Sequence, residues 1–142
     1  MGYTLGKRSK QRLNGVHPDL VAVVELAISR SDYDFTVLEG LRSVERQREL
    51  VDTGKSKTMN SRHLNGHAVD IAPWPISWEW EDYYPIADVI KAAAEELDVD
   101  LEWGGDWRNF PDAPHWQLSW RNYPCPTTHS GIYRKVCQLH SS

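Results

Sequence analysis

At 142 residues the chain is long enough for one domain with a real core and too short for two ordinary ones. Sixteen Lys and Arg against twenty Asp and Glu leave a net charge of -4, which argues against nucleic acid as the main partner. No run approaches the roughly 18 apolar residues of a membrane helix, and the basic N-terminal stretch has no apolar segment behind it to make a signal peptide. The expectation is a protein that begins in a cytosol, with no membrane insertion and no export signal of its own.

In chain order, "HPDLVAVVELAIS" places Leu20, Val23, Val24, Ala27 and Ile28 at helical spacing behind Pro18, and predicts an amphipathic helix with His17 as its cap. "YDFTVLEG" alternates and stops at a glycine, which suits a short strand. A second helix is expected from Ser43, a good N-cap, to Gly54, a good stop. "GKSKTMNSRHLNG" is polar and aperiodic and reads as a long loop, where function tends to sit. "AVDIA" then predicts a strand with Val69 and Ile71 on one face and Asp70 among alanines on the other. A Trp- and Pro-rich connection leads to a helix over "IADVIKAAAEELDV", a strand at "DLEWG" and a last short strand at "HWQL". The expected fold class is α+β, a single small domain with a short mixed or antiparallel sheet and two to three packing helices. Residues 1–120 form the domain, and residues 121–142 a C-terminal extension, packed or flexible. Cys125 and Cys137 lie in that tail, as a disulfide or as free thiols, and two cysteines cannot make a structural zinc site alone.

The chemistry concentrates in "SRHLNGHAVD". His63 and His67 have the spacing of two zinc ligands on one helical face, but Asn65 and Gly66 lie between them and no glutamate does. A turn at Asn65-Gly66 instead lets His63 and Asp70 meet while His67 points elsewhere. A catalytic zinc takes three protein ligands and keeps one position for water. The best third candidate is His115, opening a strand on which it shares a face with Gln117, while Trp116 and Leu118 take the other. Asp112, stiffened by neighbouring prolines, is then placed to accept a proton from water. On residues alone a metal-hydrolase site, a structural zinc and no metal all stay open.

"SRHLNGHAVD" and "DAPH" resemble the two motifs of the zinc peptidases that comprise D-Ala-D-Ala carboxypeptidases, dipeptidases and L-alanyl-D-glutamate endopeptidases of bacteriophage endolysins. "YTLGKRSKQRLNGVHPDL", "DYDFTVLEGLRS", "GKSK" and "WGGDW" are similar to the phage branch, so the resemblance covers roughly residues 3–119. It implies Zn2+ held by His63, Asp70 and His115, with Asp112 as general base, and it makes residues 1–120 a zinc peptidase domain. Arg42 matches an arginine associated with substrate carboxylate or transition-state charge; its plain alternative is a surface pair with Glu39 or Glu45. Ser61 would touch substrate or orient His63, and His67, at a variable motif position and not a ligand, would stand at the cleft beside the substrate. Trp103, Trp107 and Trp116 flank the cleft or fill the core.

The implied activity is hydrolysis of the L-Ala to D-Glu bond in the stem peptide of peptidoglycan by a monomer, during host cell lysis. From the host cytoplasm it would reach the wall by a holin-type route. The alternatives are a D-Ala-D-Ala carboxypeptidase or dipeptidase of the same family, and a zinc-stabilised binding or structural protein.

Overall fold

The computed structural model describes residues 2–124, so Cys125 and Cys137 lie outside the described residues. Four helices, α1 (Lys7–Arg12), α2 (Pro18–Arg30), α3 (Val44–Asp52) and α4 (Trp80–Glu96), accompany four strands, β1 (Phe35–Glu39), β2 (Ala68–Pro73), β3 (Leu101–Trp103) and β4 (His115–Leu118). The strands form one sheet in the order β1-β2-β4-β3, and every neighbouring pair is antiparallel.

α2 follows from its own sequence. His17 caps it, Nδ1 accepting the Asp19 amide at 3.0 Å, Pro18 opens it, and its apolar stripe is buried from Leu20 to Ile28. The Ser43 hydroxyl likewise accepts the Arg46 amide at the head of α3. α4 begins at Trp80, ahead of the expected Ile86, and runs through Pro85. Proline there forgoes one backbone bond near the start of the helix, where Glu81 and Asp82 already favour the positive end of the dipole. The added turn buries Tyr83, whose hydroxyl donates to the Ser77 carbonyl at 2.9 Å, and this offsets the lost bond.

α1 is the element that apolar periodicity does not reveal, because its six residues, KRSKQR, are all polar. Its role is to cover the open edge of β1. The buried Ser9 hydroxyl accepts the Val37 amide at 3.0 Å and pairs with the Thr36 hydroxyl at 3.1 Å, and Arg12 donates to the Val37 carbonyl at 2.9 Å. Backbone groups that an edge strand would leave open are thereby paired.

Strand parity divides the sheet. Phe35, Val37, Val69, Ile71, Trp116 and Leu118 join the core with the stripes of α2 and α4. Ala68, Asp70, His115 and Gln117 occupy the opposite face, with Asp70 paired to His115 and Ala68 to Gln117 in the β2–β4 register. The β1–β2 register shifts between Val37 and Glu39, so that Glu39, and not Leu38, stands opposite Asp70. This bulge swings a carboxylate onto the polar face beside Asp70, a common use of bulges near functional sites.

Candidate metal centre and its cleft

The motif turn is built by three local devices. The Ser61 hydroxyl accepts the His63 amide at 3.2 Å and starts a short 3-10 turn, Arg62–Asn65. Gly66 ends it in the left-handed region, φ 77°, where a Cβ would stand 2.3 Å from the Gly15 carbonyl oxygen. The Gly66 carbonyl accepts the His17 amide at 2.8 Å, tying the turn to the head of α2.

His63 then reaches the polar face of the sheet. Its Nε2 is 3.2 Å from Asp70 Oδ1, and His115 Nδ1 is 3.2 Å from the same oxygen. One ligand atom from each of the three residues lies within 4.8 Å of the others. The far nitrogens decide the tautomers. His63 Nδ1 faces the Gly40 carbonyl at 2.7 Å and must donate to it. His115 Nε2 faces Gln117 Oε1 at 2.8 Å, and the Gln117 amide is oriented by donating to Glu102 Oε2 at 3.2 Å. In their neutral forms both imidazoles therefore aim lone pairs at a carboxylate, three acceptors converging on one point. Only a cation or added protons can satisfy that set, and a His2Asp donor group with its outer nitrogens anchored fits zinc.

The electrostatics agree. Burial alone would raise Asp70, but hydrogen bonds and charge from His115 and His63 hold its carboxyl well below the usual range. Burial works against the charged form of His115, yet the Asp70 contact outweighs it and pushes the imidazole up from 6.5. Asp112 is raised by burial and by the negative charge of Asp70, against the pull of His115, His63 and Arg42. It is positioned by backbone: its amide donates to the Gly104 carbonyl at 2.9 Å, and its carbonyl accepts the His115 amide at 3.2 Å. A Cβ on Gly104 would stand 2.4 Å from the Asp112 carbonyl oxygen, so this close approach requires glycine.

Arg42 forms the Glu39 pair that its plain alternative offered, and it also lines the cleft. It pairs with Glu39, Nε donating to Oε1 at 2.9 Å, and its Nη2 stands 3.8 Å from Asp70 Oδ2. Nη1 donates to Gln47 Oε1 at 2.6 Å and approaches the Ser61 hydroxyl at 3.5 Å. Glu39, Arg42, Ser61, His63, Asp70, Trp107, Asp112 and His115 line one cleft of about 920 Å³.

His67 is not in that cleft. Counting back from β2, it shares parity with Val69 and Ile71, so its ring lies buried behind the sheet. There it meets His17 edge-on at 5.2 Å and Tyr123 at 6.3 Å. The expected place beside the substrate is therefore corrected: strand alternation sends His67 to the face opposite Asp70. The tryptophans divide in the same way. Trp103 and Trp116 stack in the core at 5.6 Å, while Trp107 lies 5.1 Å from His115 in the cleft.

Several supporting residues gave no sequence signal. Arg62 sits inside the motif yet is 2% exposed, its guanidinium 3.7 Å above the Trp120 ring. It donates to the carbonyls of Leu118, Ser119 and Tyr123, clamping the motif turn to the end of β4, and burial pushes it down to about 10. Gln47, fully buried, and Gln117 act through partners distant in sequence or fixed only by strand register. The Tyr123 hydroxyl donates to Asp19 at 2.8 Å, so the chain still packs on α2 beyond the last strand.

Residues 1–118 match the family described as phage L-alanyl-D-glutamate peptidase. The L-alanyl-D-glutamate peptidase of Escherichia phage T5 is 32% identical over 114 residues, 75% of this chain and 83% of that protein. The peptidoglycan L-alanyl-D-glutamate endopeptidase CwlK of Bacillus subtilis is 28% identical over 117 residues, covering 67% of this chain and 66% of CwlK. Among solved structures, the Serratia marcescens L-Ala D-Glu endopeptidase ChiX superposes with a TM-score of 0.81 at 50% identity, covering 87% of this chain and 94% of ChiX. A peptidase fold, a cleft with three converging acceptors and these matches together mean that the chain belongs to the phage L-alanyl-D-glutamate peptidase family.

Proposed function

We propose that this peptidase is a zinc enzyme that hydrolyses the L-Ala to D-Glu bond of peptidoglycan stem peptides, acting in host cell lysis as a monomer that reaches the wall by a holin-type route. The observation that carries the reading is the convergence of His63 Nε2, Asp70 Oδ1 and His115 Nδ1 in the cleft that Asp112 and Arg42 also line. No helix among the described residues is long and apolar enough to cross a membrane.

Zinc held by His63, Asp70 and His115 would lower the pKa of a coordinated water towards about 7 and polarise the scissile carbonyl. Asp112 takes the proton of the attacking water and hands it to the leaving amine, a task for which a carboxyl raised above its ordinary value is suited. Arg42 supplies a rigid fork to the developing oxyanion, held in aim by Glu39 and Gln47. Ser61, by capping the turn, orients His63.

Digestion of purified peptidoglycan with and without chelator tests the reading, with fragments identified by mass spectrometry. Muramyl-linked L-Ala together with a new D-Glu N-terminus is expected, and only without chelator. Release of D-Ala alone would overturn it in favour of a carboxypeptidase.

Zinc affinity should also depend on pH with a defined sign. Metal must displace the proton of His115, whose pKa lies above 6.5, whereas Asp70 holds no proton in that range. Affinity is then full above the raised His115 value, and loss of the His115 site to its proton lowers it by about tenfold per pH unit below that value. Titration calorimetry between pH 8 and pH 5.5 reads this directly, and an affinity that stays flat would contradict it.

A further inference from the structure

The wall of the cleft formed by α3 and the loop after it is basic, although the chain as a whole is acidic. Arg46 is paired with Glu49 at 2.9 Å, but Lys55 and Lys57 have no carboxylate within 4.0 Å among the described residues. Lys57 is nonetheless held in place. The residues on either side of it are tied to the buried Gln47, whose amide donates to Ser56 Oγ at 2.9 Å and to the Thr58 carbonyl at 2.5 Å. The same Gln47 accepts from Arg42, so one buried amide sets the lysine loop and the arginine together. On the other side of the cleft the Lys57 ammonium sits 4.9 Å above the centroid of the Phe110 ring. Phe110 is 71% exposed and holds a left-handed φ of 53°, unusual for an aromatic residue and a conformation that tends to persist at functional sites.

We propose that Lys57 is a specificity residue that binds the free carboxylate of the glutamyl residue on the leaving side of the scissile bond. This rests on the endopeptidase reading. A glutamyl residue that offers its amine to the cleaved bond carries two carboxyl groups, and only one of them continues the peptide. The other is an anion unless it is amidated. Asp112 serves the leaving amine, and Phe110, two residues away, holds the Lys57 ammonium on that side. A cation without a carboxylate partner, fixed at both flanks and facing a substrate that presents an anion, is the complementarity that sets specificity more than raw affinity.

Two synthetic stem peptides test the proposal on the zinc-loaded 142-residue chain, one with that carboxylate free and one with it as a carboxamide. The wild type is expected to favour the carboxylate by about fivefold in kcat/KM, mostly through KM, as befits one partly screened ion pair. Lys57→Met should bring the ratio close to one, and Lys57→Glu should invert it. Raising the salt should narrow the wild-type preference. Equal cleavage of both peptides by the wild type, or an unchanged ratio in either variant, overturns the assignment of Lys57 alone. Cleavage of neither peptide at the L-Ala to D-Glu bond overturns the endopeptidase reading and this proposal with it.

Discussion

Replacing Asp112 with asparagine is expected to lower kcat/KM by about 10²- to 10⁴-fold, the usual contribution of a positioned general base. Asparagine has nearly the same shape, and the Asp112 backbone bonds to Gly104 and His115 do not involve the side chain. The loop should keep its path, and metal content should stay at one ion per chain. The substitution thus separates proton transfer from metal binding, since Asp112 is not one of the three residues whose ligand atoms converge. Measured metal content beside stem-peptide hydrolysis checks it. An Asp112→Asn protein that keeps activity within a few-fold of wild type would remove Asp112 from the chemistry and revive a purely structural or binding role for the site.

Asp70→Ala should act one step earlier. Asp70 Oδ1 is the atom that both imidazoles face at 3.2 Å, and removing it leaves a metal only the two imidazoles. Loss of even an outer partner of a metal ligand costs about 10- to 100-fold in affinity, so losing the ligand itself should weaken zinc by at least about 100-fold. Thermal melts give a readout that does not depend on turnover. A ligand present at about 100 times its Kd stabilises the folded state by about 2.7 kcal/mol, so zinc should raise the melting temperature of the wild type. The same addition should stabilise Asp70→Ala by no more than about 0.4 kcal/mol, a small fraction of the wild-type shift. Equal shifts in the two proteins would mean that zinc binds elsewhere.

How far the sequence could be read depended on whether the signal was local. α2 was legible because its cap, its proline and its stripe of Leu20, Val23, Val24, Ala27 and Ile28 are written within one segment. β2 and β4 were legible for the same reason, since alternation by itself separates Val69 from Asp70 and Trp116 from His115. α1 was not, because a six-residue polar helix exists only where β1 offers it backbone groups to pair. The start of α4 was misread because Pro85 argues locally for a break, and only the burial of Tyr83 beneath the sheet outweighs it.

The site divides along the same line. The types and spacing of His63, Asp70, Asp112 and His115 are in the sequence, and so is the glycine that lets the motif turn. The sequence also argued against a helical two-histidine motif, since Asn65 and Gly66 lie between the histidines and no glutamate does. What it could not contain is everything that depends on which segment faces which. The β2–β4 register sets His115 across from Asp70, and the β1 bulge brings in Glu39. Gln47 joins Arg42 to the Lys57 loop, and Arg62 is turned inward under Trp120. Strand parity sends His67 away from the cleft although it stands in the middle of the motif. Local chemistry therefore chose the three converging side chains and the turn, whereas their supports, and the basic wall of the cleft, arise from contacts between residues far apart in the chain. Those contacts exist only once hydrophobic burial has packed the helices on the sheet.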